Sequence, residues 1–278
     1  MSFLSAEHYL GLVALGIAVG CYGTLIGAGG GFVLMPVLLL LYPQQDADLL
    51  TSISLAVVFF NALSGSEAYA LLKRIDYRSG LMFSAATIPG AVLGALNTSY
   101  VPRRMFDLIF SVLLLAAAVF LGWRPRKAGT GRKSMNAAHY KMVRRVIDVH
   151  GIVYEYDFNW LLGMGISLIV GYVSSFLGIG GGIIHVPALS FLLNFPVHIA
   201  TATSHFILAI MALTGTVVHI LTGTFAHGVH RTIALAIGVV LGAQIGARLS
   251  ERLQGSWIIR SLAVALGLVG LRILFVAW

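Results

Sequence analysis

Two long stretches of this sequence, residues 79–102 and 158–230, contain no Asp, Glu, Lys or Arg. No water-facing surface of that length is built without charge. A helix needs about 20 apolar residues to cross a hydrocarbon core of roughly 30 Å, and both stretches exceed that. Only 10% of the 278 residues are charged and 58% are hydrophobic, against about 25% charged in a soluble domain. The chain therefore reads as an all-α integral membrane protein lying in a lipid bilayer. Spanning segments are expected at about 9–26, 49–72, 80–96, 105–123, 158–177, 200–221, 232–249 and 258–276. The N-terminus has no positive n-region, so the first of these is expected to be retained. The single cysteine, Cys21, reads as a small buried residue.

Two apolar runs, 32–42 and 183–195, are about a dozen residues each, roughly 18 Å as helix. They are too short to cross and read as half-helices or re-entrant segments. Each follows the same glycine signature. The first is Gly27-Ala28-Gly29-Gly30-Gly31-Phe32 with Pro36; the second is Gly178-Ile179-Gly180-Gly181-Gly182-Ile183 with Pro187. Gly20 and Gly171 share the same offset of 151. Thr51 and Ser54 match Thr201 and Ser204, Ala62-Leu63-Ser64-Gly65 matches Ala212-Leu213-Thr214-Gly215, and residues 90–95 match 242–247. Such a chain of landmarks indicates internal duplication. It divides the sequence into a first transmembrane repeat (1–123), a basic linker (124–157) and a second repeat (158–278).

Eight of the eighteen Lys and Arg fall between residues 124 and 145. This cluster reads as the positive-inside loop of a membrane protein, not as a nucleic-acid surface. Residues 124–136 read as a loose loop, and alternation beyond them suggests a small β-hairpin turning at His150-Gly151. A cytoplasmic linker also places Lys73, Arg74 and Arg78 inside. The matching segment after the sixth long span, 223–230, has no Lys or Arg. Equivalent loops of different charge bias suggest inverted repeats; Arg103 and Arg104, which would face outward, argue the other way.

The glycine runs are also the candidate site. A helix starting at membrane depth presents unpaired N–H groups and partial positive charge, and glycine lets a ligand approach the backbone. Gly29, Gly30 and Gly31 with Gly180, Gly181 and Gly182 could together hold an anion. Thr51, Ser54, Thr203 and Ser204 can donate to it or cap the following helix. His205 is an ionisable group inside a span, so it is a candidate for substrate or proton binding, though a buried neutral histidine is an equally good reading. Gly16 and Gly20 read as helix-packing positions, and Glu67 as proton-linked or interfacial. No His/Cys spacing resembles a metal site, no cofactor motif stands out, and neither a G-x-S-x-G elbow nor a P-loop is present. A non-enzymatic role is expected.

The doubled motif, Gly27 to Pro36 and Gly178 to Pro187, each followed by a Thr/Ser-rich helix start, resembles the sulfite exporter TauE/SafE family, also called the 4-toluene sulfonate uptake permease family. The resemblance covers nearly the whole chain. It implies secondary transport of sulfur-containing anions such as sulfite, sulfoacetate or other sulfonates, with export coupled to an ion gradient as the expectation. Leu55 and His205 occupy matching positions, so the repeats differ in polarity there. A passive anion channel or a membrane assembly factor are the competing classes.

Overall fold

The computed structural model describes residues 6–123, 140–250 and 255–277. The expected loose loop at 124–136 lies outside them. Ten helices and one β-hairpin occur among the described residues: α1 (Ala6–Ile26), α2 (Gly31–Leu41), α3 (Ala47–Leu71), α4 (Tyr77–Thr98), α5 (Arg103–Trp123), β1 (Lys141–Ile147), β2 (Val153–Asn159), α6 (Trp160–Leu177), α7 (Gly182–Leu192), α8 (Val197–Leu221), α9 (Val229–Ser250) and α10 (Gly255–Ala277). Six of them (α1, α3, α4, α6, α8 and α9) are long and apolar enough to cross a membrane. The chain is a multi-pass membrane protein.

The two short helices have a common cause. Glycines end the preceding helix, and a proline sits at the sixth position of each short helix, Pro36 in α2 and Pro187 in α7. Proline removes an amide and clashes with the carbonyl four residues earlier. In α7 the backbone after Pro187 relaxes into a π-helical turn over Ala188–Leu192. Eleven residues give α2 about 16 Å, half a bilayer.

Small residues bring the long helices close. Gly16 and Gly20 of α1 lie on α9 backbone at Leu235 and Val239, and Gly242 and Gly246 of α9 lie on α1 at Ile17 and Cys21. The same contact recurs between α4 and α6, where Gly90 and Gly94 meet Leu168 and Tyr172. Cys21 is half-buried at its contact, not sealed in a core, because one side of α1 faces outward. At the centre α3 crosses α8. Leu55 meets Gly215 and Gly65 meets His205, so the two helices run antiparallel. α5 and α10 are antiparallel as well, with Gly270 at Leu115 and Gly267 at Ala118.

The β-hairpin pairs Lys141 with Asn159 through Ile147 with Val153, and Gly151 takes a left-handed φ of 79° at its turn. It is docked on the loop between α3 and α4: the Val149 amide donates to the Leu72 carbonyl at 3.1 Å. Thr224, after α8, instead donates to Asp48 at the start of α3. The loops that follow α3 and α8 thus lie at opposite ends of α3. Arg103 has a structural use: it donates to the Leu39 and Gln45 carbonyls at 3.0 and 2.7 Å and pairs with Asp107 at 3.0 Å. It is thereby tied to the C-terminal end of α2.

Candidate functional site

Each glycine run forms a tight turn that only glycine adopts without strain. Gly27, Gly29 and Gly30 have φ of 80°, 71° and 76°; Gly178 and Gly180 have 66° and 65°. In the first turn the amides of Gly27, Ala28 and Gly29 fold back on the Thr24 and Gly23 carbonyls at 3.0, 2.8 and 3.2 Å. In the second, the Ile179 amide donates to the Ser174 carbonyl at 3.2 Å. α2 and α7 start immediately after. The Val33 and Ile184 amides bond back to the Gly30 and Gly181 carbonyls at 3.0 Å and the Gly182 amide to that of Gly180, while helix geometry offers the other first-turn amides no intrahelical acceptor.

The two turns meet. A Cβ on Gly31 would stand 2.5 Å from the Ile179 carbonyl oxygen, and one on Gly182 would run into Gly27 and Ala28. Gly29 and Gly180 both face Val58 and Leu208, near the middle of α3 and α8. All six glycines of the expected site are buried.

Serine ties each turn to the opposite repeat. Ser54 Oγ donates to the Gly178 carbonyl at 2.6 Å, and Ser204 Oγ to the Gly27 carbonyl at 3.4 Å. The methyl groups of Thr51 and Thr201 stand against Gly178 and Gly27 in the same exchanged way. Their hydroxyls are buried with no partner among the described residues, as are those of Ser174 and Ser175. Thr203 points elsewhere: its Oγ1 accepts the Asp76 amide at 3.1 Å. Residues 201, 204 and 205 share one helical face and 203 does not, so Thr201 is the counterpart of Thr51 here. None of these hydroxyls caps a helix, because the N-cap positions of α3 and α8 are Asp46 and Pro196, at least a full turn earlier.

Behind the first turn lies a buried polar cluster. Thr24 Oγ1 donates to Asn61 Oδ1 at 3.1 Å and stands 3.2 Å from His205 Nε2. Tyr69 donates to the Thr24 carbonyl at 2.8 Å and sets its ring edge-on to His205, centroids 5.7 Å apart. Thr24, Asn61 and His205 are 0% exposed and Tyr69 1%. Asn61, Thr24 and Tyr69 were not among the residues expected from sequence. An amide in the middle of an apolar span was the available signal. At the equivalent places in the other repeat stand Ser175, Met211, Leu55 and His219, so there Met211 and Leu55 replace the amide and the central imidazole. Two other buried histidines and Glu67 lie outside this centre. His185 pairs with Ser167 at 3.2 Å, His219 lies 3.4 Å from Asp48, and Glu67 is exposed.

A second polar cluster anchors the β-hairpin. Asp76, 1% exposed, accepts from Arg144 at 2.6 to 3.1 Å, from Tyr156 at 2.8 Å and from Ser79 at 2.5 Å. Burial pushes the Asp76 carboxyl up, but hydrogen bonds from Arg144, Ser79 and Tyr156 outweigh it and hold the group below the usual carboxylate range. Burial and the Asp76 charge push the Tyr156 phenol above its ordinary value. Arg74 pairs with Asp148 at 3.4 Å beside it, both side chains buried.

Similarity to known proteins agrees with this architecture. The chain is 31% identical to the "Probable membrane transporter protein YunE" of Bacillus subtilis, over 95% of its own length and 96% of the relative's. It is 21% identical to the "Probable membrane transporter protein MJ0441" of Methanocaldococcus jannaschii, over 94% and 93%. A Xylella fastidiosa "Probable membrane transporter protein" is 28% identical over 87% and 83%. No solved structure matches. Residues 12–273 match the family described as Sulfite exporter TauE/SafE. With paired glycine-broken half-helices inside a multi-pass bundle and that match across nearly the whole chain, the protein belongs to the TauE/SafE family of membrane transporters.

Proposed function

We propose that this protein is a secondary transporter of sulfur-containing anions, organosulfonates or sulfite, exported across the cytoplasmic membrane by coupling to an ion gradient. The anion is held between the two glycine turns, at the N-terminal ends of α2 and α7. The observation that carries this reading is the meeting of both turns at the centre of α3 and α8. A sulfonate is fully ionised and all its oxygens are acceptors. Moving it bare into low dielectric costs many kcal/mol, so donors must replace its water. The first amides of two half-helices and the unspent hydroxyls of Thr51 and Thr201 are such donors. None carries a full charge, so binding stays moderate and release possible.

The turns touch too closely to leave space for an anion between them. The buried, closed contact is what an occluded state of a transporter needs, and binding requires the turns to part. The antiparallel α3–α8 and α5–α10 pairs, together with the opposite ends occupied by the loops after α3 and α8, support two inverted repeats rocking against each other. The linker 124–157 then faces the cytoplasm with its basic residues.

The test is flux in proteoliposomes with sulfite, thiosulfate and a panel of sulfonates, with and without ion gradients. Saturable uptake that an imposed gradient drives uphill is expected. Flux that stays linear with concentration would make the protein a channel, and no flux of any of these anions would sink the sulfur-anion reading.

A further inference from the structure

We propose that His205 is the binding site of a proton that crosses together with the anion. This rests on the transporter reading above and names the coupling ion. The argument begins with proton counting in the cluster of Thr24, Asn61, His205 and Tyr69. A hydroxyl has one proton to give. With the Asn61 amide as placed, Thr24 gives its proton to Asn61 Oδ1. Thr24 Oγ1 must then accept from His205, so the neutral ring carries its hydrogen on Nε2. That leaves Nδ1 as a bare lone pair, fully buried and without a hydrogen-bond partner. Asn61 Nδ2 is buried and unpartnered in the same cluster.

A proton taken by Nδ1 calls for an acceptor, and the Gly27 carbonyl, bonded by the adjacent Ser204, belongs to the turn packed on this cluster. Among the described residues that carbonyl receives the long Ser204 bond alone, 3.4 Å, against 2.6 Å for the equivalent bond to Gly178. Protonation therefore pulls on the first glycine turn itself. It also places one positive charge behind the turn that holds the anion, where no Lys or Arg stands in the first glycine turn, in α2 or in α8. The two ligands favour each other, and by linkage the effect is reciprocal. Tyr69 is the ionisable side chain touching the ring. Arg74 acts on Tyr69 from beyond, and Asp76, whose amide bonds Thr203 two residues back on α8, is itself neutralised by Arg144. The matching place in the other repeat is Leu55, so the His205 site is not duplicated there. Net direction follows from the balance of the anion and proton gradients.

The experiment uses full-length protein in proteoliposomes, with isethionate and thiosulfate, whose own ionisation is fixed across the range used. A pH dye inside the vesicles should report protons moving with the anion. Flux should fall by up to about tenfold per pH unit on the alkaline side, the limit for one proton. His205→Gln, which keeps a hydrogen bond to Thr24 but cannot hold a proton, should lose both the pH signal and the pH dependence. Anion flux without accompanying protons, or a His205→Gln protein that still moves them, overturns the proposal. In parallel, ring-15N histidine spectra of the protein in nanodiscs follow His205, assigned by its loss in the variant. Titration of that ring, shifted upward by added anion, is expected. A ring that stays neutral down to about pH 4 overturns the proton site whichever anion is carried. Titration without flux of either anion would fault the anion assignment alone.

Discussion

At the residue scale the contacts distinguish glycines that sequence treats alike. Gly31→Ala places a methyl group 2.5 Å from a backbone oxygen of the opposite turn. We expect at least tenfold slower transport from a folded protein, whereas Gly11→Ala, with nothing within 4 Å, should leave transport unchanged. Equal rates for both would show that the turns need not touch. Gly30→Leu is a harsher change, since its Cβ meets Val19 of its own repeat at a φ of 76°; Gly181→Leu, against the side chains of Val170 and Met211, is the better probe of the second turn. The serines separate in the same way. Ser54→Ala removes a 2.6 Å bond and should cost about 1 kcal/mol of stability. Ser204→Ala removes a 3.4 Å bond and should cost clearly less in the same chemical-denaturation assay. The sequence pointed to both serines as donors to the anion. The hydroxyl protons are spent on the turns, so weaker anion binding in these variants would come through turn geometry.

At the element scale the short helices were legible because glycine and proline act locally. The turn chemistry of Gly27–Gly31 and the missing amides of Pro36 and Pro187 need no tertiary partner. The β-hairpin was visible as alternation, but its purpose was not, since Arg144, Tyr156 and Asp76 are up to 80 residues apart. Asp76→Asn leaves Arg144 and Tyr156 facing a neutral amide. Breaking a buried pair from one side costs about 3 kcal/mol, so the melting temperature in detergent should fall at neutral pH. The pH dependence has a definite sign. The folded Asp76 carboxyl is held below its unfolded value, so its contribution is full above the ordinary carboxylate range, near pH 4. It is lost as pH falls through the lower folded value. Wild-type protein should lose stability more steeply than Asp76→Asn in that acid window, and parallel curves would show the hairpin is held by its apolar contacts alone.

At the scale of the whole molecule the arrangement sets where the loops lie. The helix from Asp48, to which Thr224 is bonded, to the end of α3 at Leu71 separates the two loops by about 35 Å. In a cysteine-free background, a cysteine at exposed Lys73 should resist a membrane-impermeant thiol reagent applied to intact cells, and one at exposed Ala226 should react. Labelling of both, or of Lys73→Cys alone, would refute the inverted arrangement with a cytoplasmic linker. Arg103, which by charge alone argued against that orientation, is occupied in capping α2 and pairing Asp107. A charge tied down in this way says little about sidedness.

The sequence by itself determined the membrane class, the six long apolar helices and the broken ones. Each follows from composition or from backbone chemistry acting over a few residues. Charge-free runs decide what solvent a segment tolerates, and glycine with proline decides where a helix breaks. Only the tertiary structure decided which residues meet. The crossing of α3 and α8 sends Ser54 to Gly178 and Ser204 to Gly27, selects Thr201 over Thr203, and gathers Thr24, Asn61 and Tyr69 around His205. Those contacts depend on how two helices some 150 residues apart pack through small side chains. Helical periodicity states which face is apolar, but not which distant helix that face will find.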